Sequence, residues 1–199
     1  MATQKQKDNI RRLMDRVDQL VEGSENQAKI AHWERYHARL PSYEDPKGPI
    51  FTMDIGLPTW ARILDFDIKE FFSDTATHIR CQLEMSVWQQ EHLCDDTLLG
   101  RHVGISLGNA LEASLVGQRV AYPADADPVA LHDEPVVEND ADLDCLEMPD
   151  FYTAGEMPKV HRMYAEAKEL LQELDGDRWD VIFPGGYCRG VLGLAQTMR

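Results

Sequence analysis

Three short apolar segments, separated by helical sequence, are the feature that most constrains how this chain can fold. They are Ile50–Ile55, Val103–Leu107 and Val181–Phe183, and each has the length and the flanking breakers of a β-strand. The connections between them are too long for hairpins, which is typical of βα units and a parallel sheet. We therefore predict an α/β fold, with too few strands to close a barrel of eight βα units.

Apolar residues at three- and four-residue spacing predict the helices that alternate with these strands. The predicted helices are Ile10–Val21, a second one from Ser24, then Thr59–Leu64, Ile68–Phe72, Ala76–Glu91, Ala110–Leu115 and Met157–Leu174. The segment 124–150 is different, because it holds ten acidic residues and no Lys or Arg, and because Pro128, Pro135 and Pro149 within it and Pro123 before it break regular structure. We expect that segment to be a solvated connection.

Charge and hydropathy exclude several classes of partner. The formal net charge of −15 disfavours nucleic acid and anionic membrane surfaces, which bind clustered Lys and Arg. No apolar run approaches the roughly 20 residues that span a bilayer, and the polar N-terminus does not resemble a secretion signal. We predict a cytoplasmic protein whose four scattered cysteines are free thiols.

The last twenty residues read as a strand, a glycine-rich turn and a helix that reaches Arg199 without a C-cap. Helices commonly end at Gly or Asn, which lets their last carbonyls find partners. We therefore expect the folding unit to be incomplete: either the chain is a fragment, or a protein partner supplies what is missing.

Four stretches together resemble the uroporphyrinogen decarboxylase-like superfamily, and within it the divergent branch that contains corrinoid-linked methyltransferases. The stretches are Asp54–Trp60 (DIGLPTW), Leu111–Gly117 (LEASLVG), Met157–Tyr164 (MPKVHRMY) and Val181–Ala195 (VIFPGGYCRGVLGLA). Each motif is weak alone, and their order and spacing carry the resemblance from about Gly48 onward. It implies a partial (β/α)8 TIM-type barrel, with residues 1–47 as an N-terminal helical extension and 48–199 as the first half of the barrel.

The same resemblance implies an enzyme subunit that takes part in methyl transfer between a methylated substrate, a corrinoid protein and a thiol acceptor. The zinc ion of such methyltransferases would be bound by residues outside this chain, on the polypeptide that completes the barrel. The arginine-rich motif of the haem-pathway decarboxylase is missing from residues 50–56, which argues against porphyrinogen as the substrate. Two alternatives stay open: a non-catalytic interaction or assembly module, and a decarboxylase or lyase acting on a small carboxylated substrate.

Asp54 is the predicted catalytic residue, because it lies at the carboxyl end of the first predicted strand, where barrel enzymes place their active sites. Its alternative role is to cap the next turn. Asn109 and Glu112 follow the second strand and are predicted to bind substrate. The alternative for Glu112 is a favourable charge in the first turn of a helix.

The turn after the third strand is the other predicted part of the site. Gly185 and Gly186 would let a ligand approach the backbone, while Tyr187, Cys188 and Arg189 would contact it. The pattern His92-Leu93-Cys94 has the spacing of zinc ligands, but it falls at a helix end and we predict no metal there. His161, inside an amphipathic helix, is predicted to be a surface or interface histidine.

Overall fold

The computed structural model describes residues 2–38, 48–108, 110–131, 133, 135–183 and 198. Eight α-helices and four short strands lie within these residues. The helices are α1 (Gln4–Glu22), α2 (Ser24–Ala38), α3 (Leu57–Leu64), α4 (Ile68–Phe71), α5 (Thr75–His92), α6 (Ala110–Leu115), α7 (Asp140–Leu143) and α8 (Met157–Asp175). The strands are β1 (His102–Gly104), β2 (Val120–Ala121), β3 (Val129–Ala130) and β4 (Asp180–Ile182).

Three long helices, α1, α5 and α8, contact one another and form most of the core. A capping box between Thr3 and Gln6 starts α1, and Asp74 caps α5 by accepting a hydrogen bond from the Thr77 amide. Helices α1 and α8 each bury one apolar stripe, as their spacing predicts, whereas α5 is buried at most positions of its first half, Thr75, Thr77 and His78 included. The buried residues of these helices include Ile10, Met14 and Val17 of α1, Ile79 and Leu83 of α5, and Val160, Met163, Ala167 and Leu171 of α8.

Two small sheets accompany the helices in the described part of the chain. Strands β1 and β4 pair in parallel, with Val103 opposite Val181. Helix α8 precedes β4 and belongs to the connection that joins the two strands. Strands β2 and β3 form a separate antiparallel pair. The parallel pair is covered by core helices, since Val103 and Ile105 belong to the same buried cluster as α1, α5 and α8.

The outer edge of β1 is occupied by a side chain from α5. The Gln82 amide accepts a hydrogen bond from the Gly104 N–H at 2.9 Å and donates one to the Gly104 carbonyl at 2.6 Å. Gln82 thereby pairs with the strand as a neighbouring strand would. The buried ring of His78 lies beside the same carbonyl, with Nε2 at 2.9 Å.

The predicted partial TIM-type barrel is wrong. A barrel half needs a row of adjacent parallel strands, whereas the described residues form mainly helices, with one parallel and one antiparallel pair of two or three residues per strand. The chain is therefore a mostly helical protein. The second and third predicted strands exist in shortened form as β1 and β4, and their parallel direction was predicted correctly.

The first predicted strand, Ile50–Ile55, has no regular secondary structure and pairs with no described strand. Side chains bond two of its amides instead. The Phe51 N–H donates to Asp96 Oδ2 at 3.0 Å, and the Met53 N–H donates to Asp95 Oδ2 at 3.0 Å. Carboxylates accept such bonds strongly, so this segment is held without the neighbour that a sheet requires.

The predicted helices are confirmed, most of them within two residues at each end, but the first begins six residues earlier than predicted, since α1 spans Gln4–Glu22. Met157–Leu174 was predicted where α8 spans Met157–Asp175, and Ala110–Leu115 coincides with α6. The acidic segment 124–150 is largely exposed where it is described, and it carries the short elements β3 and α7. Within the described residues, no helix has the combined length and apolar character needed to cross a bilayer.

Candidate functional site

The carboxyl end of the parallel pair meets the start of α8. Helix α8 precedes β4 and packs against it, so the first turns of the helix lie beside the residue that follows the strand, Phe183. In open parallel sheets, ligands bind outside the carboxyl ends of the strands. This end of the fold is therefore the first place to look for a site.

A small apolar pocket lies there, with a volume of about 160 Å³. We call it the aromatic pocket, and its lining residues are Phe151, Met157, Val160, His161, Tyr164 and Phe183. Four of them come from α8 at positions that share one helical face. Phe151 follows the acidic segment and Phe183 follows β4, so three separate parts of the chain close around the cavity.

Aromatic rings fix the shape of the aromatic pocket. The Tyr152 ring stacks on the His161 imidazole, with centroids 5.4 Å apart and planes at 23°. The Phe151 ring contacts the same imidazole edge-on, with centroids 6.0 Å apart. The Phe151 ring also contacts the Phe183 ring edge-on, with centroids 6.3 Å apart. Stacked and edge-to-face contacts at these distances are the favoured arrangements of aromatic pairs, so the walls are defined by packing.

One polar atom stands out in this apolar setting. His161 Nε2 is buried and has no hydrogen-bond partner within the described part of the chain. A buried polar group without a partner costs roughly 1–3 kcal/mol. An ordered water needs two to four polar partners, and the only other polar side-chain group among the lining residues is the Tyr164 hydroxyl. The pocket is thus poorly suited to water, and His161 is the lining residue whose ring nitrogen lacks a partner among the described residues.

Glu112 lies next to this region, in the first turn of α6. It is partly buried and interacts with other residues of the chain. Helix α6 abuts the start of α8, since the Glu156 N–H donates to Ser114 Oγ at 3.1 Å. The substrate-binding role of Glu112 stays a prediction.

Asp54 lies elsewhere. It is exposed and follows Met53, whose carbonyl accepts a hydrogen bond from Gln89 near the end of α5. The carboxyl end of β1 contacts α5 at residues 78 and 82, nearer the start of that helix. The structure therefore does not bring Asp54 and Glu112 together, and Asp54 does not follow a paired strand. Its catalytic role stays a prediction without that premise.

The remaining predicted site residues lie outside the described residues. They are Asn109, Gly185, Gly186, Tyr187, Cys188 and Arg189.

A polar cluster surrounds the segment before Asp54. Asp95 is buried, which raises its pKa, but hydrogen bonds from Thr97, the Met53 amide and Gln89 lower it further than burial raises it, so the net shift is downward. Asp96 accepts from the buried His32 ring at 3.3 Å, if that nitrogen carries the proton. These carboxylates hold the backbone of residues 48–53 in place, which is a structural role.

The described residues contain no group of three or more His, Cys, Asp or Glu side chains arranged to hold a metal ion. In the His92-Leu93-Cys94 pattern, His92 Nδ1 lies 2.9 Å from the Trp88 carbonyl, and the neighbouring Asp95 is engaged as above. The described side chains thus do not fit the zinc ion that the family resemblance implies. Zinc chemistry is accordingly assigned to no described residue.

Sequence reasoning missed the aromatic pocket. His161 was predicted to be a surface or interface histidine, yet its ring is only partly exposed and its Nε2 is buried. The signals were present but separate: the Phe151-Tyr152 pair directly after the acidic segment, the spacing of 157, 160, 161 and 164, and an aromatic residue ending β4. Nothing in the sequence states that these three stretches meet.

Comparisons of this chain with protein-family models, with curated proteins and with solved structures found no match. The resemblance to the uroporphyrinogen decarboxylase-like superfamily therefore stays a hypothesis carried by its four motifs. The functional argument below depends on the geometry of the chain itself.

Proposed function

We propose that this chain binds a small, neutral, ring-sized organic molecule in the aromatic pocket, through one hydrogen bond to His161. The observation that carries the proposal is that His161 lines an apolar cavity and that its buried Nε2 has no hydrogen-bond partner among the described residues. A ligand hydroxyl or N–H group would give this nitrogen the partner that it lacks. The rest of the ligand would replace water against apolar and aromatic walls.

Size and charge narrow the ligand class. The cavity volume of about 160 Å³ is close to the roughly 150 Å³ of an apolar cavity that holds benzene. No Asp, Glu, Lys or Arg is among the six lining residues. A charged ligand would be buried there without a counter-charge, which is costly, so the ligand should be neutral.

Phenol and benzene form a matched pair of probes for this site. Both fill the same space, and only phenol has a hydroxyl group that can bond His161. A net hydrogen bond contributes about 0.5–1.5 kcal/mol, so phenol should bind roughly 2- to 10-fold more tightly than benzene. Chemical-shift titrations of the full chain by NMR measure both affinities.

The variant His161→Phe keeps a ring against Tyr152 and removes the nitrogen. We expect it to bind benzene about as well as the wild type and to lose the preference for phenol. His92→Phe is the matched control, because His92 also stacks on an aromatic ring, that of Trp88, with centroids 4.6 Å apart. An equal loss of the preference in both variants, or no preference in the wild type, would refute the proposal.

Methyl transfer is a second candidate function, and it comes from the family resemblance. The observation that favours it is the aromatic pocket, whose apolar walls suit a methylated substrate. In this scheme the chain contributes substrate binding, while a protein partner and a corrinoid protein contribute the metal and corrinoid chemistry. Methoxybenzene, the methylated counterpart of phenol, is the test substrate: phenol release that requires both added proteins and falls in His161→Phe would support it. Weak binding of methoxybenzene relative to benzene would count against it.

A further inference from the structure

The acidic segment exposes large apolar side chains close to one another. Six consecutive residues contain three of these side chains, Leu143, Leu146 and Met148, and Met148 is 94% exposed. Scattered exposed apolar residues are ordinary, but a contiguous group on a surface marks an interaction site. In this segment the apolar side chains alternate with Asp144 and Glu147, both exposed.

Leu146, Glu147 and Met148 of this group line an open cleft, which we call the acidic cleft, with a volume of about 1080 Å³. Residues 145–150 make one wall, residues 114–120 make the opposite wall, and residues 154–156 lie between them. Apolar side chains line both walls, with Leu115 and Val120 on one and Leu146 and Met148 on the other. The cleft thus combines apolar and charged side chains, and it is distinct from the much smaller aromatic pocket.

Charge identifies what the acidic cleft can bind. Glu147, Asp150 and Glu156 line it, and the sequence from 120 to 158 contains no Lys or Arg. Arg119 also lines the cleft and interacts with other residues of the chain. A second copy of the chain would bring its own net charge of −15 to this surface, and nucleic acids and anionic lipids are repelled in the same way.

We infer that the acidic cleft docks a protein partner through a segment that combines apolar side chains with Lys or Arg. Apolar side chains of that segment would contact Leu146 and Met148, and its cations would lie at the carboxylates of Glu147 and Asp150. Such complementarity favours association and excludes acidic competitors. This inference does not depend on the small-molecule proposal.

Two synthetic twelve-residue peptides test the inference with the full chain. One repeats Leu and Lys in an amphipathic pattern, and the other carries Glu in place of every Lys. Fluorescence anisotropy of the labelled peptides measures binding at low and at physiological salt. We expect the Lys peptide to bind and the Glu peptide to fail.

Matched variants separate docking in the acidic cleft from diffuse attraction to an acidic protein. Asp150→Asn with Glu147→Gln should weaken binding about 2- to 10-fold, whereas Asp15→Asn with Glu34→Gln, an equal change of charge at exposed positions of α1 and α2, should leave it nearly unchanged. Leu146→Ser should also weaken binding several-fold. Leu98→Ser is its control, because both leucines are 41% exposed.

Two results would overturn the inference. Equal effects of the two charge variants would show that only net charge matters, and unchanged binding by Leu146→Ser would show that the peptide does not contact the cleft. Thermal unfolding of each variant verifies that a loss of binding is not a loss of the fold.

Discussion

Gly155 is the residue on which the meeting of α6 and α8 depends most sharply. Its φ of +52° lies in the left-handed region, and an added Cβ would lie 2.3 Å from the Ser114 carbonyl oxygen. The contact joins the end of the acidic segment and the start of α8 to helix α6. Gly155→Ala should therefore strain the backbone and also force these elements apart.

Gly108 offers a control that isolates the second effect. Its φ is +60°, close to that of Gly155, but an added Cβ there meets nothing within 4 Å. A left-handed conformation costs a residue with a Cβ about 1–2 kcal/mol, and this cost applies to both alanine variants. Overpacking adds about 1–3 kcal/mol, and this cost applies to Gly155→Ala alone. The expected losses in free energy of unfolding are about 1–2 kcal/mol for Gly108→Ala and about 2–5 kcal/mol for Gly155→Ala.

Urea unfolding followed by circular dichroism measures both losses, provided that the slope with denaturant is unchanged. Phenol titration adds a functional readout, since a displaced α8 start carries Met157 and Val160 of the aromatic pocket with it. We expect Gly155→Ala to weaken phenol binding and Gly108→Ala to preserve it. If Gly155→Ala is no less stable than Gly108→Ala, the close approach of Gly155 to Ser114 is not present in the protein.

Three further predictions concern other parts of the fold. Asp95→Asn should lower the free energy of unfolding at pH 7 by about 1–3 kcal/mol. Folding lowers the pKa of Asp95 from its ordinary 3.8, so the carboxylate stabilises the fold above the unfolded pKa, and this stabilisation is lost as the pH falls through the folded pKa. Urea titrations of wild type and variant should therefore converge as the pH falls below about 4, and a constant difference would contradict the assignment. Gln82→Leu should cost about 1–3 kcal/mol by leaving the edge of β1 unpaired, with faster hydrogen exchange at the Gly104 amide as its signature; unchanged exchange would show that Gln82 does not bond that strand. Burial raises the pKa of the Cys81 thiol to about 12. A thiol reagent at pH 8 should therefore modify the exposed Cys94 and Cys145 and spare Cys81, which peptide mass spectrometry can map. Rapid modification of Cys81 would show that Cys81 is not buried in the protein.

The helices were predictable because each carries its own signal. The apolar spacing of α8 repeats along a single continuous stretch, and a helix satisfies its backbone hydrogen bonds internally. The sequence of residues 157–174 is therefore enough to predict a helix, and the packing of neighbouring elements decides only which face of that helix is buried. The same reasoning gave α5 and α6 nearly at their observed bounds.

The sheet was predicted less well because a strand needs a partner that its own sequence does not name. Ile50–Ile55 has the composition of a strand, but the carboxylates of Asp95 and Asp96 satisfy its amides instead. The step from three strand-like segments to a partial barrel assumed that each would pair with the next. Tertiary side-chain contacts overrode that assumption, as they often override β propensity.

The candidate site was out of reach of the sequence for a related reason. Phe151, His161 and Phe183 are distant in the chain, and none of them is unusual alone. What marks them is a cavity and an unpartnered nitrogen, and both are properties of the packed molecule. Of the predicted site residues, Glu112 lies on α6, which contacts the start of α8 through Ser114, and its role in the site stays a prediction.

The central claim is that His161 Nε2 forms a hydrogen bond with a bound ligand, and the NMR signal of this nitrogen measures that bond directly. Long-range ¹H–¹⁵N NMR of the imidazole should show the Nε2 resonance of His161 shifting when phenol is added and shifting far less with benzene, while His92 stays unchanged with both. An Nε2 resonance that ignores phenol at saturating concentration, or that responds equally to benzene, would contradict the account.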